Sequence, residues 1–374
     1  RDVGAEVLGL GTTPDYNGER MEGFHTIQEN TRGSIRYSSR QAYLDGDVPN
    51  LTLLLDATVS RVVVEGGRAA GVEVVVAGGE RRVISAGKEV VLSAGAFGSP
   101  QILQLSGIGP AGHLRTHGID VVADLPVGDN LHDHLLVPTC WEVDNSPHVG
   151  NPFYFGRALA RETARRGSTF MAHSVFEAGA FLETSLAEKG IPDMQFLALP
   201  WSYPAPNQDA PVRLKPDQRR SLSIFSTLVQ PRSRGTVRLA SADPLAPPVI
   251  DPDFLAEPDD LKVLVEGIEM IREVMNSPLT RGHVKGEYEP GPALHGQALA
   301  DEVLNRATTV YHPVGSVRMG VDDRAVVDPE LKVRGIDGLR VADASIMPTI
   351  TSGNTNAPSF MIGEKCAELI LSTD

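Results

Sequence analysis

Short runs of branched apolar residues, punctuated by glycine and polar turns, fill the stretch from residue 51 to 93. The pattern predicts strands over 51–55, 61–65, 71–76 and 82–85, the last two joined by the turn Ala77-Gly78-Gly79-Glu80. Residues 89–93 are more uniformly apolar, which predicts a strand central in a sheet and covered on both faces. A helix is expected over 100–105 and a shorter one over 41–44. Near the far end, Leu339-Arg340-Val341-Ala342-Asp343 reads as a short buried strand ending in a carboxylate. Met361, Ile362, Cys366, Leu369 and Ile370 recur at helical spacing within 360–371. Just before them, Asn354-Thr355-Asn356-Ala357-Pro358 supplies cap-type side chains and a proline suited to a first helical turn.

The texture changes over residues 146–308, where proline and charge are scattered and uniformly apolar runs are fewer. Aromatic residues appear there: Phe153, Tyr154, Phe155, Phe170, Phe176, Phe181, Phe196, Trp201 and Tyr203. They are read mainly as core, with some free to line a pocket. Residues 222–229 predict a strand of imperfect alternation, because Ser226 shares a face with Leu222, Ile224 and Leu228. A strand is expected from Thr236 after the turn Ser233-Arg234-Gly235, and Leu261, Leu264, Ile268, Ile271 and Met275 mark an amphipathic helix.

Composition narrows the function classes. A chain of 374 residues can bury large cores, and two domains are expected. A net charge of -14 argues against a nucleic-acid partner. No apolar run approaches the ~20 residues that span a bilayer. Two cysteines, Cys140 and Cys366, are too few for a disulfide framework and fit a reducing, cytoplasmic setting. No G-x-S-x-G elbow or Walker A pattern occurs, which removes the main support for serine-hydrolase and P-loop readings.

The candidate chemistry gathers at the C-terminal end. In Thr309-Val310-Tyr311-His312-Pro313-Val314-Gly315-Ser316-Val317-Arg318-Met319-Gly320, a titratable imidazole stands beside a proline that restricts its backbone to extended conformations. By residue type alone, His312 fits either a satisfied structural histidine or a titrating base. The start of the last helix would place its positive end beside Asn354 and Asn356. Gly107-Ile108-Gly109-Pro110-Ala111-Gly112 matches G-x-G-x-x-G, but it follows a helix rather than a strand and is read as a turn. His132 and His134 could share a strand face and ligate a metal, yet no third ligand accompanies them. They are read as hydrogen-bonding residues, and no metal is expected.

Four blocks, in order, resemble the glucose-methanol-choline (GMC) flavin oxidoreductases. They are Ser93-Ala94-Gly95-Ala96-Phe97-Gly98-Ser99-Pro100 with its continuation to Pro110, His312-Pro313-Val314-Gly315, Val341-Ala342-Asp343-Ala344-Ser345-Ile346-Met347-Pro348, and Asn354-Thr355-Asn356-Ala357-Pro358. The flavour resembles the choline oxidase, choline dehydrogenase and aryl-alcohol oxidase branch. The resemblance implies an α/β fold: a Rossmann-like FAD-binding domain plus an α+β substrate domain with an antiparallel sheet. It assigns 1–40 and 146–308 to the substrate domain, and 41–145 and 309–374 to the FAD domain. It implies FAD as cofactor, met by the Val59 backbone, Ala94, Tyr311, Asp343, Ala344, Thr355 and Asn356.

The same resemblance implies oxidation of a primary alcohol to an aldehyde. His312 would be the general base and Asn354 the second polar group on the substrate oxygen, with hydride passing to the flavin and on to O2 or another acceptor. A hydroxynitrile lyase on the same fold is the alternative enzyme class. The family's N-terminal βαβ unit, with its own G-x-G-x-x-G, is absent from this sequence. The expectation is therefore that this segment stands before Arg1 in cis or on a second polypeptide, a split or truncated subunit being inactive without it.

Overall fold

The computed structural model describes residues 1–33, 35–46, 48–144, 146, 151–164, 176–203 and 219–372. Along the chain come α1 (Asp2–Val7), β1 (Gly23–Thr26), β2 (Thr31–Arg32), β3 (Ile35–Arg36) and a single π-helical turn at Arg40–Leu44. Next are β4 (Ala57–Glu65), β5 (Arg68–Val76), β6 (Arg81–Ser85), β7 (Val90–Leu92), α2 (Gly95–Leu105), α3 (Ala111–Thr116) and β8 (Leu135–Val143). Then follow α4 (Pro152–Thr163), β9 (Ala178–Leu182), β10 (Met194–Leu199), β11 (Ser221–Leu228), β12 (Thr236–Arg238) and β13 (Val249–Asp251). The last are α5 (Pro258–Met275), β14 (Val284–Glu289), α6 (Gly296–Arg306), β15 (Thr308–Thr309), β16 (Leu339–Val341), a 3-10 turn at Ala344–Ile346 and α7 (Asn356–Leu371). Among the described residues no helix is long and apolar enough to cross a membrane.

The chain divides into two units. The first comprises Arg1–Asp47, His134–Arg232 and Glu257–Val310. Its centre is an antiparallel sheet in the order β1-β9-β10-β11-β8-β14, with β15 also pairing with β8. β11 pairs along its whole length with β8, and α5 packs on the sheet through Val263, Leu264, Ile268, Ile271 and Met275. Ser226, the residue that spoils the alternation, has a reason to be there: its hydroxyl donates to the Leu264 carbonyl on α5 at 2.9 Å. Phe225, one register position away, joins Leu136, Leu197 and Leu199 in a buried cluster flanked by Phe176, Trp201, Tyr203 and Val310. Phe181 and Phe196 are core as expected, whereas Phe153 is exposed, and Phe170 lies outside the described residues.

The second unit comprises Val48–Asp133, Ser233–Ala256 and Tyr311–Asp374. It holds the antiparallel meander β4-β5-β6, the β12–β13 ribbon and the parallel pair β7–β16. Its core gathers Val62, Leu92, Leu103, Val314, Val317, Val327, Val341, Ile346 and Ile362. The observed boundary falls at 133/134 rather than near 145/146, because β8 is committed to β11 along its length. Residues 233–256 lie with this unit because Leu131 and Gly235 exchange backbone hydrogen bonds of 3.0 and 2.7 Å.

Two expectations need correction. Residues 51–55 form no strand, and their leucines stay exposed, Leu55 at 77%. A strand exists only by pairing, and no ladder partner meets this run among the described residues. Residues 89–93 were expected in mid-sheet, but β7 pairs only with β16 among the described residues, and Val91 is turned outward while Val90 and Leu92 are buried. The helix at the C-terminus forms as expected and buries Ile362 and Cys366, but Met361 is exposed.

Gly267 on α5 is a packing requirement. A Cβ there would lie 2.3 Å from the Ser226 Oγ and 2.6 Å from the Met194 Cε. Gly267→Ala is expected to lower stability by roughly 1–3 kcal/mol although alanine is the better helix former. Urea unfolding of the two proteins measures it, and equal midpoints would contradict the packing account.

Candidate active site

The site is built by two chain segments meeting a third. Residues 311–317 run beside residues 130–133: His132 donates its backbone N–H to the Val314 carbonyl at 3.2 Å, and Val314 returns the bond at 2.9 Å. This close approach needs Gly315, whose φ is +89° and whose Cβ would sit 2.5 Å from the Asn130 carbonyl oxygen. Asn130, itself left-handed at φ 64°, donates through Nδ2 to the carbonyls of Gly315 and Pro348. It accepts from Arg234 Nε at 3.1 Å. The Asp133 carboxylate accepts the His312 backbone N–H at 2.8 Å.

The two predicted catalytic side chains come together. Asn354 Nδ2 donates to His312 Nε2 over 3.1 Å. Burial pushes the His312 imidazole down to about 4. It is therefore neutral near neutral pH, with a ring nitrogen able to accept a proton. Burial, helped by Arg234, likewise lowers His132 to about 4, and burial does the same to His25 in the first unit.

Asp343 forms a second node. It follows β16 and is buried, and its carboxylate accepts from the Gly95 N–H at 2.9 Å, the Ser99 hydroxyl at 2.5 Å and the Ser345 N–H at 2.8 Å. Ser99 in turn accepts from the Ala94 N–H at 3.0 Å, and the Ala344 carbonyl accepts from the Gly315 N–H at 3.3 Å. Ala94, Asp343 and Ala344 are thus one hydrogen-bonded group at the C-terminal ends of two parallel strands, tied to the His312 segment. Thr355 is the buried N-cap of α7 and Asn356 its first residue, directly after Asn354. Tyr311 is 72% exposed and strained, with φ 64° for a non-glycine residue. Val59 lies on β4, paired with Val74, in a different sheet from β16, the strand that Asp343 follows.

Four residues of this site were missed as such by pattern reading: Asn130, Asp133, Ser99 and Ser316. The Ser316 hydroxyl donates to the Ala96 carbonyl at 2.5 Å and pins α2 to the His312 segment. A serine and a carboxylate far apart in sequence carry no periodic signal. His132, read as a hydrogen-bonding residue, is one: its Nε2 accepts the Ile350 N–H at 2.9 Å.

Two features leave room for an anionic or electron-rich cofactor group. The α7 N-terminus has no side-chain cap, so its positive end is available to an anionic or electron-rich group. The turn into α2 is open as well, since a Cβ on Gly95, whose φ is +78°, would meet nothing within 4 Å. Two GMC oxidoreductase family models match, one to residues 3–136 and the other to 231–363. The chain belongs to the GMC oxidoreductase family. An alcohol dehydrogenase [acceptor] of Pseudomonas putida is 38% identical over 367 residues, covering 96% of this chain and 65% of that protein. An oxygen-dependent choline dehydrogenase of Rhizobium etli is 37% identical over 372 residues, covering 97% of this chain and 66% of that protein. The solved formate oxidase of Aspergillus oryzae, an FAD protein, superposes with a TM-score of 0.88 at 28% identity, covering 99% of this chain and 69% of its own. The chain therefore spans about two thirds of the length of these relatives, 65% of the first. FAD is the cofactor of this GMC fold.

Two outcomes follow from the site's hydrogen bonds and charges. Asp343→Ala leaves three donors without their acceptor and is expected to cost roughly 2–4 kcal/mol, read by urea unfolding. Acid is expected to destabilise the fold through His25 and His132. Unfolded, these imidazoles bind protons below about 6.5; folded, only below about 4. Between those values the unfolded state holds more protons, so stability falls as pH falls. Thermal unfolding across that window checks it, and a flat profile would contradict it.

Proposed function

We propose that this GMC protein oxidises a primary alcohol to its aldehyde. The observation that carries the reading is the convergence of His312 Nε2 and Asn354 Nδ2 at 3.1 Å, beside the uncapped start of α7. The relatives named as alcohol and choline dehydrogenases support the reaction class. FAD, when bound, supplies the hydride acceptor at its N5 atom.

The chain's own groups do the rest. A substrate hydroxyl enters between the pair, replacing their direct bond. Its O–H donates to His312 Nε2, and its oxygen accepts from Asn354 Nδ2. His312 takes the hydroxyl proton as the carbon gives up its hydride, and Asn354 stabilises the negative charge that develops on oxygen. Asp133 holds the His312 backbone so that the ring stays aimed. Val59, Ala94, Tyr311, Asp343, Ala344, Thr355 and Asn356 are proposed to meet the cofactor. Thr355 and Asn356 would face the flavin at the helix start, where the dipole favours charge on its reduced form. O2 or another acceptor completes turnover. The edge of β7 that has no strand partner among the described residues is proposed to take a further strand of the nucleotide-binding segment, in cis or from a second chain.

The test is anaerobic titration of the flavin-loaded protein with a panel of primary alcohols. The visible flavin band is expected to bleach with at least one of them. His312→Ala is expected to slow that bleaching by about 100- to 10,000-fold, and Asn354→Ala by about 100- to 1,000-fold. For the wild type, the rate should persist below pH 6.5 and fail only as His312 gains its proton near about 4. Unchanged bleaching by His312→Ala would sink the assignment.

A further inference from the structure

His132 is 1% exposed and lies next in the chain to the residue that holds His312. Its two ring nitrogens have opposite duties. Nδ1 meets the Asn130 carbonyl at 2.7 Å, which can only accept. Nε2 meets the Ile350 backbone N–H at 2.9 Å, which can only donate. The pairing fixes the tautomer: Nδ1 carries the proton and Nε2 is bare. Ile350 is buried and opens the loop 350–354 that ends in Asn354. Thus adjacent residues hold the two halves of the catalytic pair, Asp133 through the His312 N–H and His132 through the loop that presents Asn354.

We propose that His132 is the positioning residue of this site, and that its single-proton tautomer sets where Asn354 stands relative to His312. The proposal rests on the alcohol-oxidation reading for its catalytic consequence, while the clamp itself stands on the hydrogen bonds. A second proton on His132 would set donor against donor at Ile350 and release the loop. The charged group that acts on it is Arg234, held through Asn130, and its chain neighbour Asp133 accepts the His312 N–H. Arg234 and burial both oppose the imidazolium, so the clamp is closed at neutral pH and opens only toward about 4.

Glutamine offers one donor and one acceptor, as the neutral imidazole does, but cannot gain a proton. Leucine offers neither. Amide hydrogen exchange of the full chain, read at Ile350 and the residues after it, tests the clamp without requiring turnover. In His132→Leu the Ile350 protection factor is expected to fall roughly tenfold, the worth of one buried hydrogen bond. In His132→Gln it should be kept. Wild-type protection should fall by a similar factor as pH drops toward about 4, and His132→Gln should lose that pH dependence. In the flavin-loaded protein, His132→Leu should lower kcat about tenfold with KM little changed, and His132→Gln should restore it.

Equal Ile350 protection in wild type and His132→Leu would overturn the proposal. So would a His132→Gln protein that keeps the wild-type pH dependence, and that arm remains readable should the leucine variant not fold. The expected exchange pattern in a wild-type protein that turns over no alcohol would instead overturn the catalytic reading and support the clamp.

Discussion

The reciprocal backbone bonds between His132 and Val314 are the constraint from which the rest of the site hangs. They join two segments far apart in sequence, so their formation closes a long loop, and the entropy of that closure has to be offset by what the closure assembles. What it assembles is dense. Asn130 ties down Gly315 and Pro348, Asp133 ties down His312, and the His132 ring ties down Ile350. The approach is possible because Gly315 has no Cβ to strike Asn130. A histidine and an asparagine on separate loops thereby meet in a hydrogen bond of 3.1 Å, with backbone anchors on the segments that carry them.

Asp343 plays the matching part at the ends of β7 and β16. A buried carboxylate is tolerated when donors surround it, and here three do. Because those donors come from the α2 start and from the 3-10 turn, the carboxylate joins the ends of β7 and β16 to both. Ser316 adds a tie from the His312 segment to α2. Displacement of any one of these segments is therefore felt by the others. That rigidity is what a site needs if small errors of placement are to be avoided.

The first unit solves a different problem with similar means. Its sheet buries serine and threonine side chains, which is tolerable because hydroxyls find carbonyls: Ser226 reaches Leu264, and Thr139 reaches Ile224 at 2.9 Å. The missing side chain of Gly267 lets α5 come down on that face. The opposite face gathers Phe225 with its aromatic neighbours Phe176 and Tyr203 in edge-on contacts.

Much of this was legible in the chain. The turn-bounded apolar runs located β4, β5, β6, β11 and β12, and the 3.6-residue spacing located α5 and α7, because each is set by neighbours in sequence. The blocks around His312, Asp343 and Asn354 marked the family. Sequence could not tell that, among the described residues, 51–55 would lack a ladder partner and β7 would pair only with β16, since pairing depends on where the chain path brings other segments. Nor could it show that Asp133 accepts the His312 N–H or that His132 accepts the Ile350 N–H. The residue types along the chain determined which groups are available to bind and to move a proton. Only the tertiary structure decided which of them face one another, because hydrogen bonds between distant segments follow from chain path and not from spacing.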